Sequence, residues 1–255
     1  MKISILIPVY NDWESVSELI KNIDIEIKDL NHEFSIIIIN DASLEKKELN
    51  FQSLENIDLI ELINMKENRG HARCIASGLK YIFEKKDFDY VIPMDGDGED
   101  RPSEIKDFIE HTDYSPNQTI VGERVKRSEK LFFKFCYNIH KILTFFLTGQ
   151  SIKFGNYTCL TKATVERMIN EKASWNSFSG SLTKIEKNRK SIPSIRGIRY
   201  FGPSKMSFIN LLKHSFSIIS VFRINVLIRS ILFLIAYFFL ILNNISIITL
   251  IPIPV

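Results

Sequence analysis

The sequence predicts an open α/β fold, a mostly parallel sheet flanked by helices, followed by an amphipathic and then a membrane-spanning helical segment. Three observations carry this expectation. Short apolar runs alternate with amphipathic helical patterns through the first half of the chain; three of those runs end in polar or acidic residues; and from Ser230 to Val255 no charged residue occurs.

Taken in order, "ISILIPVY" (3–10) is apolar on both alternations, as a strand covered on both faces must be. A capping-type Asp12 follows, and Val16, Leu19, Ile20, Ile23 and Ile27 then fall on one helical face. "SIIIIN" (35–40) and "DLIEL" (58–62) read as the next two strands. Ala72, Ile75, Ala76, Leu79, Ile82 and Phe83 mark a second helix, and "YVIPM" (90–94) a further strand. Strand alternating with helix implies a parallel sheet whose ligands bind beyond the carboxyl ends of the strands. Tyr10, Asn11 and Asp12 follow the first strand, Asn40 and Asp41 the second, and Asp95 and Asp97 follow "YVIPM". All three clusters are expected on one edge.

The 255 residues suffice for one large core, or a core with a small appendage. A net charge of +3 with scattered basic residues gives no reason to expect a nucleic-acid partner. Three widely spaced cysteines, Cys74, Cys136 and Cys159, have neither metal-site nor disulfide-framework spacing and suit a reducing compartment. The opening "MKISILIPVYND" lacks the features of a signal peptide, so the body of the protein is expected in the cytoplasm. Near the other end, "ILFLIAYFFLIL" has the apolarity of a bilayer span, which takes roughly 20 helical residues. Asn243, Asn244, Pro252 and Pro254 leave room for one span rather than two. Upstream, Lys213, His214, Arg223 and Arg229 punctuate an apolar stretch suited to a helix at the headgroup level, and favour an inside location for the preceding domain. The chain therefore divides into residues 1–205 and a membrane segment, 206–255.

"VIPMDGDGEDRPSEI" (91–105) crowds Asp95, Asp97, Glu99, Asp100 and Glu104 at the mouth of a strand. Two carboxylates flanking Gly96 repel each other unless a cation is near, and oxygen-rich sites suit magnesium or manganese held together with substrate phosphates. Gly96 and Gly98 would leave room for close approach of a ligand. Asp100 and Glu104 are expected to serve the start of the following helix. On its own the acidic run fits a solvated turn equally well. The five histidines form no ligand spacing; His71 falls near the nucleotide edge and is expected to act as a helix cap.

"ISILIPVYND", "IIIINDAS", "ENRGHARCIASGL", "MDGDGEDRPSEI", "GERVKR", "GNYTCLTKATVERM" and "RGIRYFGPSK" occur in the order and spacing of glycosyltransferase family 2. Within that family they most resemble the polyprenyl-phosphate sugar transferases, including dolichol-phosphate mannosyltransferases and undecaprenyl-phosphate glucosyltransferases. The resemblance implies a GT-A-type, Rossmann-like sheet. It also implies inverting transfer of a hexose-type sugar from a nucleotide diphosphate sugar to a polyprenyl phosphate, with Mg2+ or Mn2+, on the cytoplasmic face of the cell membrane. Pro8, Tyr10 and Asp12 would line the nucleotide pocket and Asp41 would reach the base or ribose, with Gly96 beside them. Asp95, Asp97 and Glu99 match the metal-binding run. Arg124, placed after the next strand, and the late basic pair Arg199 and Lys205 would gather around the phosphates, with Arg127 and Arg196 as weaker candidates. Gly155 and Asn156 open a segment that could lie beside the acceptor, while Val165, Met168 and Ile169 pack on the core. Two other readings fit the same residues: a family 2 enzyme with a saccharide acceptor, and a non-catalytic, membrane-tethered sugar-nucleotide binder. The sequence does not specify an oligomeric state.

Overall fold

The computed structural model describes residues 1–45, 54–126, 131–203 and 208–242. Its strands are β1 (Lys2–Val9), β2 (Glu33–Asn40), β3 (Leu59–Asn64), β4 (Tyr90–Pro93), β5 (Ile120–Lys126), β6 (Phe154–Thr161) and β7 (Lys190–Ile195). They form one seven-stranded sheet in the order β3-β2-β1-β4-β6-β5-β7. All pairs are parallel except those of β6, which runs antiparallel to both β4 and β5.

The four strands read from sequence are present within two residues of their expected bounds. Their side chains alternate between two cores, as the pleat requires. Ile3, Ile5, Ile7 and Val9 of β1 and Ile36 and Ile38 of β2 meet α1 (Trp13–Ile27) and α3 (Ile105–Tyr114) on one face. Leu6, Ile37 and Ile39 meet α2 (His71–Lys85), α5 (Lys162–Asn170) and α6 (Phe178–Ile185) on the other. Val165 and Met168 are fully buried there, as expected, and Ile169 packs at the margin.

Helix α4 (Leu131–Thr148) lies between β5 and β6 in sequence, yet it packs against α7 (Phe208–Val221) and α8 (Arg223–Ile241). In space, therefore, a segment before residue 205 joins the helices after it. Gly149, at φ +74°, ends α4, and Arg229 of α8 lies against it, donating from Nη1 to the Phe146 carbonyl at 3.2 Å. A cation at a helix C-terminus satisfies an open carbonyl and complements the dipole. Among the described residues α8 is the one helix long and apolar enough to cross a membrane, with a mean hydropathy of 2.3 and almost none of its residues fully buried. It begins at Arg223, earlier than the stretch expected from sequence, so Arg223 and Arg229 belong to its first turns rather than to the helix before it. Asn243, Asn244, Pro252 and Pro254 lie outside the described residues.

Candidate functional site

Connections from β1 run to β2 on one side and, through later elements, to β4 on the other, which opens a crevice at the carboxyl ends of β1 and β4. Tyr10, exposed, and Asn11, at φ +49°, leave β1 at this point. Ser43 Oγ accepts from the Asn11 backbone N–H at 2.9 Å, and Asn11 Oδ1 accepts from the Leu44 N–H at 2.8 Å, so the loops after β1 and β2 are tied together. Asp12 then opens α1 without capping it; its Oδ1 accepts instead from Ser15 Oγ at 2.7 Å.

Two expected pocket residues have different work. Pro8 is buried inside β1, beyond the last β1–β4 register pair of Leu6 and Pro93, where a missing N–H interrupts no ladder. Asp41 is also buried, and its two oxygens accept from the backbone N–H groups of Arg69 and Gly70 at 2.7 and 2.8 Å. It holds the turn before α2.

The glycines of the acidic loop allow close packing within the protein. A Cβ on Gly96 would stand 3.0 Å from Val16 and 3.1 Å from the Pro8 carbonyl, so this glycine lets the loop pack on β1 and α1. Gly98 has φ +86° and lies against the Tyr200 ring, which a Cβ would meet at 2.5 Å. The acidic loop is thus pressed between β1 and the segment after β7.

That segment carries the late basic motif, and the two loops are laced together. Gly197 N–H donates to the Glu99 carbonyl at 2.8 Å and Tyr200 N–H to the Asp97 carbonyl at 3.0 Å. Arg199 bridges two acids, with Nη1 2.7 Å from Asp97 Oδ2 and Nη2 on Asp12 Oδ2. Arg196 pairs with Glu99. Arg196, a weaker candidate in the sequence, therefore stands with Arg199, whereas Lys205 and Arg127 lie outside the described residues. Arg124 sits within β5 rather than after it, at a register irregularity that re-aims side chains. Its guanidinium lies over Gly155, where a Cβ would be 2.6 Å away.

Asp95 gathers partners from two further elements. His71, first residue of α2, places Nε2 2.9 Å from Asp95 Oδ1, and Asn156 of β6 donates to the same oxygen at 3.2 Å. The expected role of His71 as a helix cap is replaced by this pairing. The signal was its position directly after the tight turn at Gly70, on the edge where the strands end. Asp100 and Glu104 also depart from expectation, since neither caps the following helix. Asp100 is buried and accepts from the Asp95 backbone N–H at 2.9 Å. Glu104 pairs with Arg101 and accepts from Ser194 Oγ and the Ile195 N–H, fastening β7 to α3.

The charges divide unevenly. Desolvation opposes ionisation of Asp95, but His71, Arg124 and Arg196 outweigh it and hold the carboxyl well below its usual range. Burial and the neighbouring Asp95 charge push Asp97 up to about 6, against the pull of Arg199 and Arg196. The same two causes push Asp100 up to about 8. Burial first, and then the proximity of the acids, sets this pattern.

Among the described residues no three His, Cys, Asp or Glu side chains form a complete metal cage. Asp95 and Asp97 still fit a divalent cation, because magnesium-type sites use one or two carboxylates and draw the remaining oxygens from substrate phosphates. The mutual destabilisation that raises Asp97 is what such a cation relieves.

The profile described as Glycosyl transferase family 2 matches residues 4–178. The undecaprenyl-phosphate 4-deoxy-4-formamido-L-arabinose transferase of Salmonella choleraesuis is 28% identical over 226 residues, a match covering 86% of this chain and 67% of that protein. Glucosyl-3-phosphoglycerate synthase from Mycobacterium tuberculosis, crystallised with Mn2+, UDP and phosphoglyceric acid, superposes with a TM-score of 0.62 at 11% identity. That match covers 88% of this chain and 78% of the synthase. The same synthase with Mn2+, UDP-glucose and phosphoglyceric acid gives 0.61 at 12% identity, covering 88% and 79%. These likenesses bear out the GT-A-type fold.

Proposed function

The chain belongs to glycosyl transferase family 2, and from that membership we propose that it moves a sugar from a nucleotide diphosphate sugar to a polyprenyl phosphate at the membrane. The observation that carries this is the lacing of the acidic loop to the basic segment that leads into α7 and the apolar α8. Donor chemistry and membrane are thereby adjacent. The curated relatives are named for transfer to undecaprenyl phosphate, which supports the acceptor class.

A divalent ion, Mg2+ or Mn2+, would be held by Asp95 and Asp97 with Glu99 beside them, and when bound supplies neutralisation of charge developing on the leaving diphosphate. The fold neighbour crystallised with Mn2+ and UDP-glucose supports that choice of ion and donor. Tyr10, exposed at the end of β1, offers a ring face to the base. Arg199 would turn its guanidinium fork onto phosphate oxygens as paired donors. Arg124, over Gly155, faces the acceptor side. His71 and Asn156 fix the orientation of Asp95. The acceptor phosphate is ionised and attacks the anomeric carbon itself from the face opposite the diphosphate, inverting its configuration without a general base. α8 spans the membrane and keeps the site close to a bilayer-confined acceptor. Lys213, Arg223 and Arg229 support a catalytic body on the cytoplasmic side.

Membranes containing the chain, given radiolabelled sugar nucleotides and undecaprenyl phosphate, should yield an organic-extractable, mild-acid-labile product. The donor panel includes hexoses, as expected from sequence, and pentose derivatives, since the relatives' sugar is an arabinose derivative. Label confined to water-soluble saccharide would establish the saccharide-acceptor alternative instead.

A further inference from the structure

The acids at the crevice are matched by the protein's own cations: Asp95 by His71, Glu99 by Arg196, and both Asp12 and Asp97 by the single guanidinium of Arg199. Among the described residues Arg199 alone touches two carboxylates from different strand ends, one after β1 and one after β4. Its side chain is largely covered, and Nε donates to the Phe201 carbonyl at 2.9 Å, which keeps it with its own loop.

The docking of that loop does not depend on the guanidinium. Backbone bonds from Gly197 and Tyr200 to the carbonyls of Glu99 and Asp97 hold it in place. The Tyr200 ring packs on Gly98, and Tyr200 Oη accepts from Asn22 Nδ2 at 3.0 Å. The guanidinium can therefore leave the carboxylates while the loop remains docked.

We propose that Arg199 is an internal counter-cation for Asp97 and Asp12, displaced when a divalent ion and a nucleotide diphosphate arrive together, and then turned onto the phosphates. This rests on Asp97 being a metal ligand, as in the proposed function. The physical reason is charge balance. A divalent ion alone must compete with a guanidinium already bound to the same oxygens, and the released guanidinium is left beside that ion without its anionic partners. An incoming diphosphate removes that penalty, because it offers the fork new anionic oxygens. Metal and nucleotide then bind with positive coupling, each raising the affinity for the other by the same factor. Arg199 is the residue through which that coupling runs.

The test uses the full chain in detergent, with free Mn2+ measured by electron paramagnetic resonance and binding of UDP and GDP by calorimetry. Arg199→Gln should bind Mn2+ in the absence of nucleotide about tenfold more tightly than wild type, roughly the worth of one charge-assisted hydrogen bond. In saturating Mn2+ it should bind the preferred nucleotide about tenfold more weakly. A purely structural residue would lower both affinities, and a simple phosphate ligand would leave the metal affinity unchanged; either result overturns the proposal. Should Arg199→Gln fail to fold, Arg199→Lys must show a smaller rise in Mn2+ affinity, and no rise overturns it equally. Asp97→Asn separates the two levels. If it abolishes Mn2+ uptake while the Arg199 variants leave uptake unchanged, the counter-cation role alone falls. Wild-type protein that takes up no Mn2+ even with UDP or GDP removes the metal reading and this proposal together.

Discussion

Asp95 and Asp97 flank one glycine yet differ in electrostatic condition. Three cations keep Asp95 ionised, whereas Asp97, buried beside that charge, is raised to about 6. Of the two carboxylates flanking Gly96, Asp97 is therefore the more dependent on an arriving cation. Replacing it with Asn should lower turnover by about 100-fold or more, the scale of losing a preorganised electrostatic contact, as measured by initial rates of lipid-linked product formation. His71 acts through Asp95, so His71→Ala should cost about 10-fold in turnover, typical of a group that orients a ligand. Melting temperature should stay near wild type, because the side chain is half exposed. Asp95, Asp97 and Arg199 were legible because motif order and strand ends announce them. His71 and Asn156 were not, because their shared partner Asp95 lies on another element and only the fold brings them to one oxygen; Asp100 was not, because its bond to the Asp95 N–H depends on how the loop turns back on itself.

Among the elements, the loop pair around Gly98 is the most demanding. An alanine there must adopt φ +86° and enter the Tyr200 ring, so Gly98→Ala should destabilise the chain by about 1–3 kcal/mol, read by chemical denaturation. The far edge of the sheet offers a pH test. Glu61 on β3 pairs with Lys86, just past α2, and accepts from Tyr81 Oη at 2.9 Å. The hydrogen bond from Lys86 is the chief reason its carboxyl titrates below the ordinary 4.5. The stabilisation is complete above that pH and fades as pH falls through the lower folded value. Glu61→Gln should then cost about 0.5 kcal/mol at pH 7, a surface-pair magnitude, and progressively less as pH falls below 4.5 in parallel melts. Strands β1, β2 and β4 were readable because central strands covered on both faces are continuous apolar runs, and the edge strand β3 because Leu59, Ile60, Leu62 and Ile63 still form a short apolar run. β7 was not, since an edge strand with Pro193 turns only Ile192 and Ser194 inward. β6 mixes Asn156, Tyr157 and Thr158 with its apolar residues and hides its strand signal.

At the scale of the whole molecule, the sheet presents its acidic crevice at one edge while α4, α7 and α8 gather apolar surface. Ile142, Phe145 and Phe146 of α4 are exposed beside α8, and the Phe146 and Phe233 rings lie 6.3 Å apart. That grouping was hidden in the sequence, because α4 precedes the expected division at 205 and contains Lys134 and Lys141. If this surface meets lipid, replacing Phe145 with Glu should weaken vesicle flotation of the full chain by about tenfold, the worth of one buried aromatic ring. Transfer of a sugar to a membrane-held phosphate is tested most directly by incubating purified chain with undecaprenyl phosphate, Mn2+ and a panel of sugar nucleotides, followed by mass spectrometry of the extracted lipid. The expected result is a glycosyl undecaprenyl phosphate that disappears on chelation and in Asp97→Asn. Recovery of unmodified undecaprenyl phosphate with every donor, while sugar passes to a soluble saccharide, would contradict it.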